Sequence, residues 1–334
     1  MSFFQLGAEQ RLQGNQLVAL HELLDWSRIA GLLQGIHKRD WTRGGGPNPY
    51  PPIQMFKALL LGQWHSLSDQ ALVESLRVRL DFMVFSGFGL DSDLPDESTF
   101  CRFRKRLCQM KLDERLFQEI NRQLGEKGLL IKEATTAVVD ATVIESANRP
   151  RRCIEVSDDR EEQQRETPTQ ARIIESVDPD ARWLKKGKRS YFGYKGFVSV
   201  DAEKGFIQQV KVMPANVAEV NQLEAMIESL PLVDLLIADK GYASSGNRGY
   251  LRDQEIHDGI MRKAVRGQPL SESSRALNRQ IGKVRYIVEQ CFGTLKRRFQ
   301  FQRSRYRTTA GVQTEFYWKA MCFNLLKAQR ILQA

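Results

Sequence analysis

Residues 137–143, Ala-Val-Val-Asp-Ala-Thr-Val, place a carboxylate in the middle of an apolar, strand-forming run. Apolar side chains on both faces of such a run are typical of a central strand that is covered on both sides. An ionised carboxylate in such a strand is costly unless a cation or a metal ion pairs with it. Asp140 is therefore a candidate functional residue on the first strand of a predicted sheet.

A second acid, Asp239, directly follows another short apolar run, Leu235–Ala238. If the two strands are neighbours, the two carboxylates repel each other unless divalent cations lie between them. Mg²⁺ or Mn²⁺ suits ligation by carboxylates, and two such ions about 4 Å apart suit phosphoryl transfer. The alternative for Asp239 is a strand-end cap, since Lys240 and Gly241 follow it.

A third acid, Glu289, lies in a predicted helix between two basic residues. Helical spacing puts Arg285, Glu289 and Lys296 on one stripe, and an adjacent apolar stripe would pack on the sheet. In the functional interpretation, Glu289 is a third metal ligand, and the basic residues beside it hold DNA phosphates. The alternative is an Arg285–Glu289 pair, which stabilises a helix by only about 0.2–0.5 kcal/mol.

The segments around these acids predict an α/β fold. Strands over 197–200 and 206–212 form a hairpin, a helix covers 217–230, and a strand at 235–238 leads to a helix over 247–253. A short strand near 259–261 and long helices beyond residue 271 complete the series. This order suits a mixed sheet flanked by helices on both faces.

The first third of the chain predicts helices over 16–37, 53–64 and 69–85, with Ser68 as the cap of the third. A fourth helix, capped by Asp96, carries basic residues that include Arg102 and Lys105. These helices form either a helix-turn-helix reader or a small bundle with a basic outer face, and both remain open.

We predict two domains because the predicted elements change from helices alone to strands with helices. Residues 1–125 would form a helical domain for DNA binding and dimerisation, and residues 126–334 the catalytic domain. A polar and charged segment, about 149–190, would be a long inserted loop that is mobile unless a ligand orders it.

Composition points to a nucleic acid. The net charge is +10, and basic residues crowd between Arg262 and Arg307. The five cysteines are scattered without a C-x-x-C pair, so we expect neither a zinc site nor disulfides. No stretch is long and apolar enough for a bilayer, and the N-terminus lacks a signal-peptide pattern. The sequence therefore predicts a cytoplasmic protein with no membrane partner.

Several motifs occur together in the chain. They are Val139-Asp140-Ala141-Thr142, residues 178–183 (DPDARW), residues 191–195 (YFGYK), Pro214-Ala215-Asn216, residues 238–242 (ADKGY) and Arg285-x₃-Glu289-x₆-Lys296. In this order, over about residues 50–325, the chain resembles bacterial insertion-sequence transposases of the DDE class, in the group around insertion sequence five. One departure is Gly282, which stands where related signatures often have a Tyr three residues before the Arg. Here Tyr286 follows the Arg instead.

The resemblance implies a ribonuclease-H-like catalytic domain with Asp140, Asp239 and Glu289 as ligands of two Mg²⁺ (or Mn²⁺) ions. Activated water would cut at the element's ends, and the freed 3′-hydroxyl would attack target DNA. The expected partners are terminal inverted repeats and target DNA, bound by a homodimer. The expected DNA contacts are Lys296, Arg285, Lys195, Lys240, Tyr194, Asn216, Arg297, Arg298, Arg102 and Lys105.

Trp183 has two interpretations within the predicted loop. Its ring would either stack on an unpaired base or act as a hydrophobic plug that pins the loop.

Two other functions share most of these features. A ribonuclease-H-like nuclease would have the same acids but would cut without joining strands. A domesticated DNA-binding regulator would normally have lost one of the three acids, and this chain retains all of them.

Overall fold

The computed structural model describes residues 7, 10–37, 48–130, 136–148, 177–228, 230, 233–265 and 267–333, and the backbone of 152–156 and 171–175. Its N-terminal part is helical, as predicted. The helices are α1 (Gln16–Leu23), α2 (Trp26–Leu32), α3 (Pro52–Trp64), α4 (Asp69–Val78), α5 (Leu80–Ser86), α6 (Glu97–Gln109) and α7 (Leu112–Glu126).

Polar caps define the starts of two of these helices. The side chain of Ser68 accepts a hydrogen bond from Ala71 N (3.1 Å), and that of Asp96 accepts one from Thr99 N (2.6 Å). Both predicted caps are confirmed. The single helix predicted over 69–85 is wrong, because Arg79 has extended backbone (φ −96°, ψ 115°) that divides it into α4 and α5.

The strands that follow include five that form the centre of the C-terminal half of the chain. In chain order the strands are β1 (Thr136–Glu145), β2 (Arg152–Val156), β3 (Ala171–Glu175), β4 (Arg182–Lys186), β5 (Arg189–Asp201), β6 (Ile207–Pro214), β7 (Leu235–Ala238) and β8 (His257–Ile260). The central order is β6-β5-β1-β7-β8. Strand β5 runs antiparallel to both β6 and β1, whereas β7 runs parallel to β1 and β8 runs parallel to β7. This mixed sheet confirms the expected ribonuclease-H-like fold class.

The predicted inserted loop contains more regular structure than expected. Its last part, 182–190, pairs as the β4–β5 hairpin and so extends the main sheet. Strands β2 and β3 pair antiparallel in a separate two-stranded sheet. The sequence did not predict this hairpin, because apolar and polar residues alternate only weakly over 182–190. Residues 157–170, where the loop was also expected, lie outside the described residues.

Helices cover both faces of the sheet. The helix predicted over 217–230 is shorter, with a 3₁₀ turn (Glu219–Gln222) followed by α8 (Leu223–Ile227), and a second 3₁₀ turn (Lys240–Tyr242) precedes α9 (Ser245–Asp253). These elements pack on one face, against Val139 and Phe197. The long helices α10 (Glu272–Arg297) and α11 (Thr309–Gln333) pack on the other face, against Val138 and Val198.

Helix α11 also joins the two halves of the chain. It is buried along most of its length and packs on both the sheet and the N-terminal helices. The side chain of Asn324 donates to Asn121 Oδ1 of α7 (2.7 Å) and to the backbone oxygen of Ile207 in β6 (2.8 Å). One continuous core therefore crosses the predicted boundary near residue 125, and the division into two domains stays a prediction.

Two further properties concern the chain as a whole. Among the described residues, no helix is both long and apolar enough to span a bilayer. The cysteines whose side chains the structure describes are free thiols, namely Cys101, Cys108, Cys291 and Cys322.

Candidate active site

Asp140 and Asp239 lie on neighbouring parallel strands. In the register of β1 and β7, Val139 pairs with Ala238, so the next residue of each strand is one of the two acids. Strand β7 ends at Ala238, whereas β1 continues to Glu145. The two carboxylates therefore meet where the sheet opens beyond the end of β7, as the strand pattern predicted.

Arg285 of α10 reaches both acids. Its Nη2 lies 2.7 Å from Asp140 Oδ2, and its Nη1 lies 3.6 Å from Asp239 Oδ1. The side chain of Arg285 is 12% exposed and that of Asp140 is 14% exposed, whereas Asp239 is 32% exposed. A single guanidinium thus lies between two carboxylates in a site that is largely shielded from water.

Opposing effects act on the Asp140 carboxyl. Burial raises its pKa, the Arg285 guanidinium and the Ala141 N–H lower it, and the neighbouring Asp239 raises it. The Ala141 N–H donates to Asp140 Oδ1 over 2.8 Å. The net direction is upward, because loss of hydration outweighs one nearby cation. A second cation at this site would favour the ionised carboxylate.

Glu289 is the acid that the structure does not bring to the other two. It is exposed on α10, one helical turn beyond Arg285. Across the described residues, no three His, Cys, Asp or Glu side chains are grouped closely enough to hold a metal ion. The assignment of Glu289 as the third ligand stays a prediction.

The donor set of the two Asp residues fits a divalent metal ion. Their oxygens are the ligands that Mg²⁺ and Mn²⁺ prefer, and Arg285 already places positive charge between them. The buried Nε atom of Arg285 has no hydrogen-bond partner in the part of the chain that the structure describes. Three charged groups are therefore held together for electrostatic reasons rather than by a complete hydrogen-bond network.

A further acid that the sequence pattern did not predict lies near the site. Glu219 begins the 3₁₀ turn after β6, and its Oε1 lies 3.4 Å from Lys195 Nζ. Nothing in the amphipathic pattern of 217–230 separates Glu219 from the exposed Glu224 and Glu228, so the pattern gave no signal for it.

The predicted DNA contacts on α10 lie near its C-terminal end. Burial, and the nearby Lys186 ammonium, lower the pKa of Lys296. Arg297 and Arg298 are exposed beside it. Like charges held close together are stabilised by an anion, and a DNA phosphate is such an anion. Two more predicted contacts, Arg102 and Lys105, are exposed on α6 and line a cleft of about 400 Å³.

Two predicted DNA contacts, Tyr194 and Lys195, are buried. Tyr194 is fully buried, and its hydroxyl donates to Asp178. Lys195 is 7% exposed, and its Nζ donates to the backbone oxygen of Val217 over 2.8 Å. Both side chains point into the protein and support the structure around the site.

The remaining predicted contacts are accessible. Asn216 and Lys240 are exposed, close in sequence to the site. Trp183 was expected in a loop but lies on β4, where its side chain is half-exposed and its ring centre is 5.3 Å from that of Phe192. The packing on Phe192 explains why the ring is held at the sheet, and its free face leaves base stacking open as a prediction.

Comparison with known families matches both halves of the chain. Residues 132–325 match the family described as Transposase DDE domain, and residues 4–106 match the one described as Transposase domain (DUF772). The chain belongs to the DDE transposases of bacterial insertion sequences. The first match includes Asp140, Asp239 and Glu289, and the second covers most of the N-terminal helices of this transposase.

One curated relative and two solved structures are similar to this transposase. It is 43% identical over 236 residues to the transposase for insertion sequence element IS1106 from Neisseria meningitidis serogroup B, covering 70% of this chain and 79% of the relative. The piggyBac transposase synaptic complex with hairpin DNA has a TM-score of 0.46 and 11% identity, covering 94% of this chain and 75% of that one. The Mos1 mariner paired-end complex with Mn has a TM-score of 0.21 and 12% identity, covering 97% of each chain.

Proposed function

We propose that this transposase binds the terminal inverted repeats of its insertion sequence, cleaves the ends and joins them to target DNA. Asp140, Asp239 and Glu289 would hold two Mg²⁺ or Mn²⁺ ions. The observation that carries the proposal is the pair of carboxylates that adjacent parallel strands hold around one guanidinium. Holding two carboxylates together in a partly buried site costs free energy, and apart from cation binding nothing in the fold requires this arrangement.

The bound ions would activate the attacking oxygen and stabilise the leaving one in each in-line displacement. The remaining roles belong to the protein's own side chains. The strands fix Asp140 and Asp239, whereas Glu289 would have to approach from α10 by a change of side-chain or helix position. With metal ions bound, Arg285 would no longer be needed between the two carboxylates, and its guanidinium would be free to orient a DNA phosphate.

DNA would bind along the basic surface at the end of α10. Lys296 lies beside Lys186, and Arg297 and Arg298 are exposed next to them. The exposed basic residues Arg102 and Lys105 of α6 add positive charge in the N-terminal half. Since the reaction must handle two ends together, we infer a homodimer on DNA.

The test uses a labelled DNA duplex that carries one end of the element, with magnesium. Asp140→Asn, Asp239→Asn and Glu289→Gln should each abolish cleavage, because each would remove a negative ligand and keep the side chain's shape. The exposed Glu224→Gln serves as the matched control and should cleave normally. If any of the three acid variants cleaves at the wild-type rate, that acid is not part of the site.

A further inference from the structure

Glu219 lies close to the segment that carries Asp239, although the two acids are distant in sequence. A Cβ atom at Gly241 would lie only 2.5 Å from Glu219 Oε2, so the carboxylate rests against the backbone two residues beyond Asp239. A side chain at residue 241 would displace the carboxylate. The carboxylate of Glu219 therefore faces the segment that carries Asp239.

The position of Glu219 is fixed by a bridge between two 3₁₀ turns. The side-chain amide of Asn247 donates to the backbone oxygen of Val220 (2.9 Å) and to that of Tyr242 (2.8 Å). The turn that carries Glu219 is thereby tied to the turn that follows Asp239. Because Asn247 belongs to α9, this bridge ties both turns to a helix, and the two turns are not free loops.

The charge of Glu219 is balanced by a buried lysine. Lys195, on β5, is held by Val217 and lies 3.4 Å from the Glu219 carboxylate. The side chain of Glu219 is 28% exposed, so one side of the carboxylate remains open. The Lys195 side chain is 9% exposed (7% for the whole residue), so this is not a surface salt bridge, and the lysine neutralises an acid that lies near Asp239.

A buried hydroxyl lies among these acids. Tyr242 is fully buried, and its OH has no hydrogen-bond partner among the described residues. The hydroxyl is near enough to Asp140, Glu219 and Asp239 for their charges to act on it. A buried hydroxyl without a partner costs about 1–3 kcal/mol in general, so this group has a hydrogen bond available for a ligand.

We propose that Glu219 is a fourth acidic residue of the metal site, which strengthens the binding of divalent cations at Asp140 and Asp239. Lys195 neutralises it while Arg285 occupies the site, and the Tyr242 hydroxyl supplies a hydrogen bond once cations are bound. This inference rests on the proposed function, since it concerns the same metal site.

The experiment measures the binding of MnCl₂ to the full chain by isothermal titration calorimetry, without DNA. Glu219→Gln should weaken Mn²⁺ binding by about 10- to 100-fold, the range for groups that support metal ligands. Glu224→Gln, an exposed acid on the first turn of α8, should bind Mn²⁺ like the wild type. Asp140→Asn reports whether the proposed metal site exists at all.

A double variant separates a role in metal binding from a role in the salt bridge. In Glu219→Gln/Lys195→Met both charges are removed, so the buried lysine no longer lacks a partner. If Glu219 binds cations, the double variant keeps the weak Mn²⁺ binding of the single variant. Recovery of wild-type binding in the double variant would show that Glu219 only pairs with Lys195, and would overturn the inference.

The experiment distinguishes failure of the inference about Glu219 from failure of the proposed metal site. If Asp140→Asn weakens Mn²⁺ binding but Glu219→Gln does not, only the role of Glu219 is wrong. If neither variant changes binding, the proposed metal site itself is wrong.

Discussion

Replacing Arg285 with methionine would remove the one cation that lies between Asp140 and Asp239. Asp140 would then remain as a buried carboxylate without its partner at 2.7 Å. Removing one member of a buried ion pair costs about 3–5 kcal/mol. We expect the lower end, about 3 kcal/mol, because Asp239 is one-third exposed and its contact with Arg285 is long at 3.6 Å.

The assay is urea unfolding of the metal-free protein, followed by circular dichroism. Arg285→Met/Asp140→Asn is the matched control, since replacing a buried ion pair by neutral side chains is often close to neutral for stability. The double variant should therefore recover most of the loss. Equal stability of Arg285→Met and the wild type would refute the arrangement of charges. A double variant no more stable than the single one would refute the assignment of the loss to Asp140.

Two predictions test other contacts by the same unfolding measurement. Gly241→Ala should cost about 0.5–1.5 kcal/mol, because its Cβ would lie 2.5 Å from Glu219 Oε2 and would displace that flexible carboxylate from its rotamer. Gly249→Ala, a helical position with open space, should instead gain up to about 1 kcal/mol, and equal effects would contradict the close approach. Lys57→Met should stabilise by at most about 3 kcal/mol at pH 7, because burial lowers the pKa of Lys57 from 10.5 to about 8, while the contact of its ammonium with the Trp26 ring is lost. The folded state disfavours the charged amine, so the gain should be complete below pH 8 and disappear toward pH 10.5, and a gain independent of pH would contradict this cause.

The sequence was sufficient to predict the elements that carry the acids. Apolar runs on both faces identified β1 and β7 as buried strands, and the carboxylate inside or after each run identified Asp140 and Asp239. Helical spacing placed Arg285 and Glu289 on α10. Each of these inferences depends on local spacing, which a single sequence shows directly.

The sequence could not predict contacts between residues that are distant in the chain. Arg285 was expected to orient DNA or to pair with Glu289, yet its guanidinium lies between Asp140 and Asp239. The burial of Lys195 and the approach of Glu219 to Gly241 likewise depend on how β5, β6 and β7 pack. Charged residues look alike in a sequence whether they face solvent or a buried partner, so spacing alone could not assign them.

The central claim is that this transposase joins DNA strands with its acids as metal ligands. The most direct measurement is a strand-transfer assay with a precleaved element end and a supercoiled target plasmid in magnesium. The wild type should give plasmid joined to the element's 3′ end, and Asp239→Asn should give none. Cleavage of the plasmid without joined product in the wild type, or joining at wild-type rate by Asp239→Asn, would contradict the account.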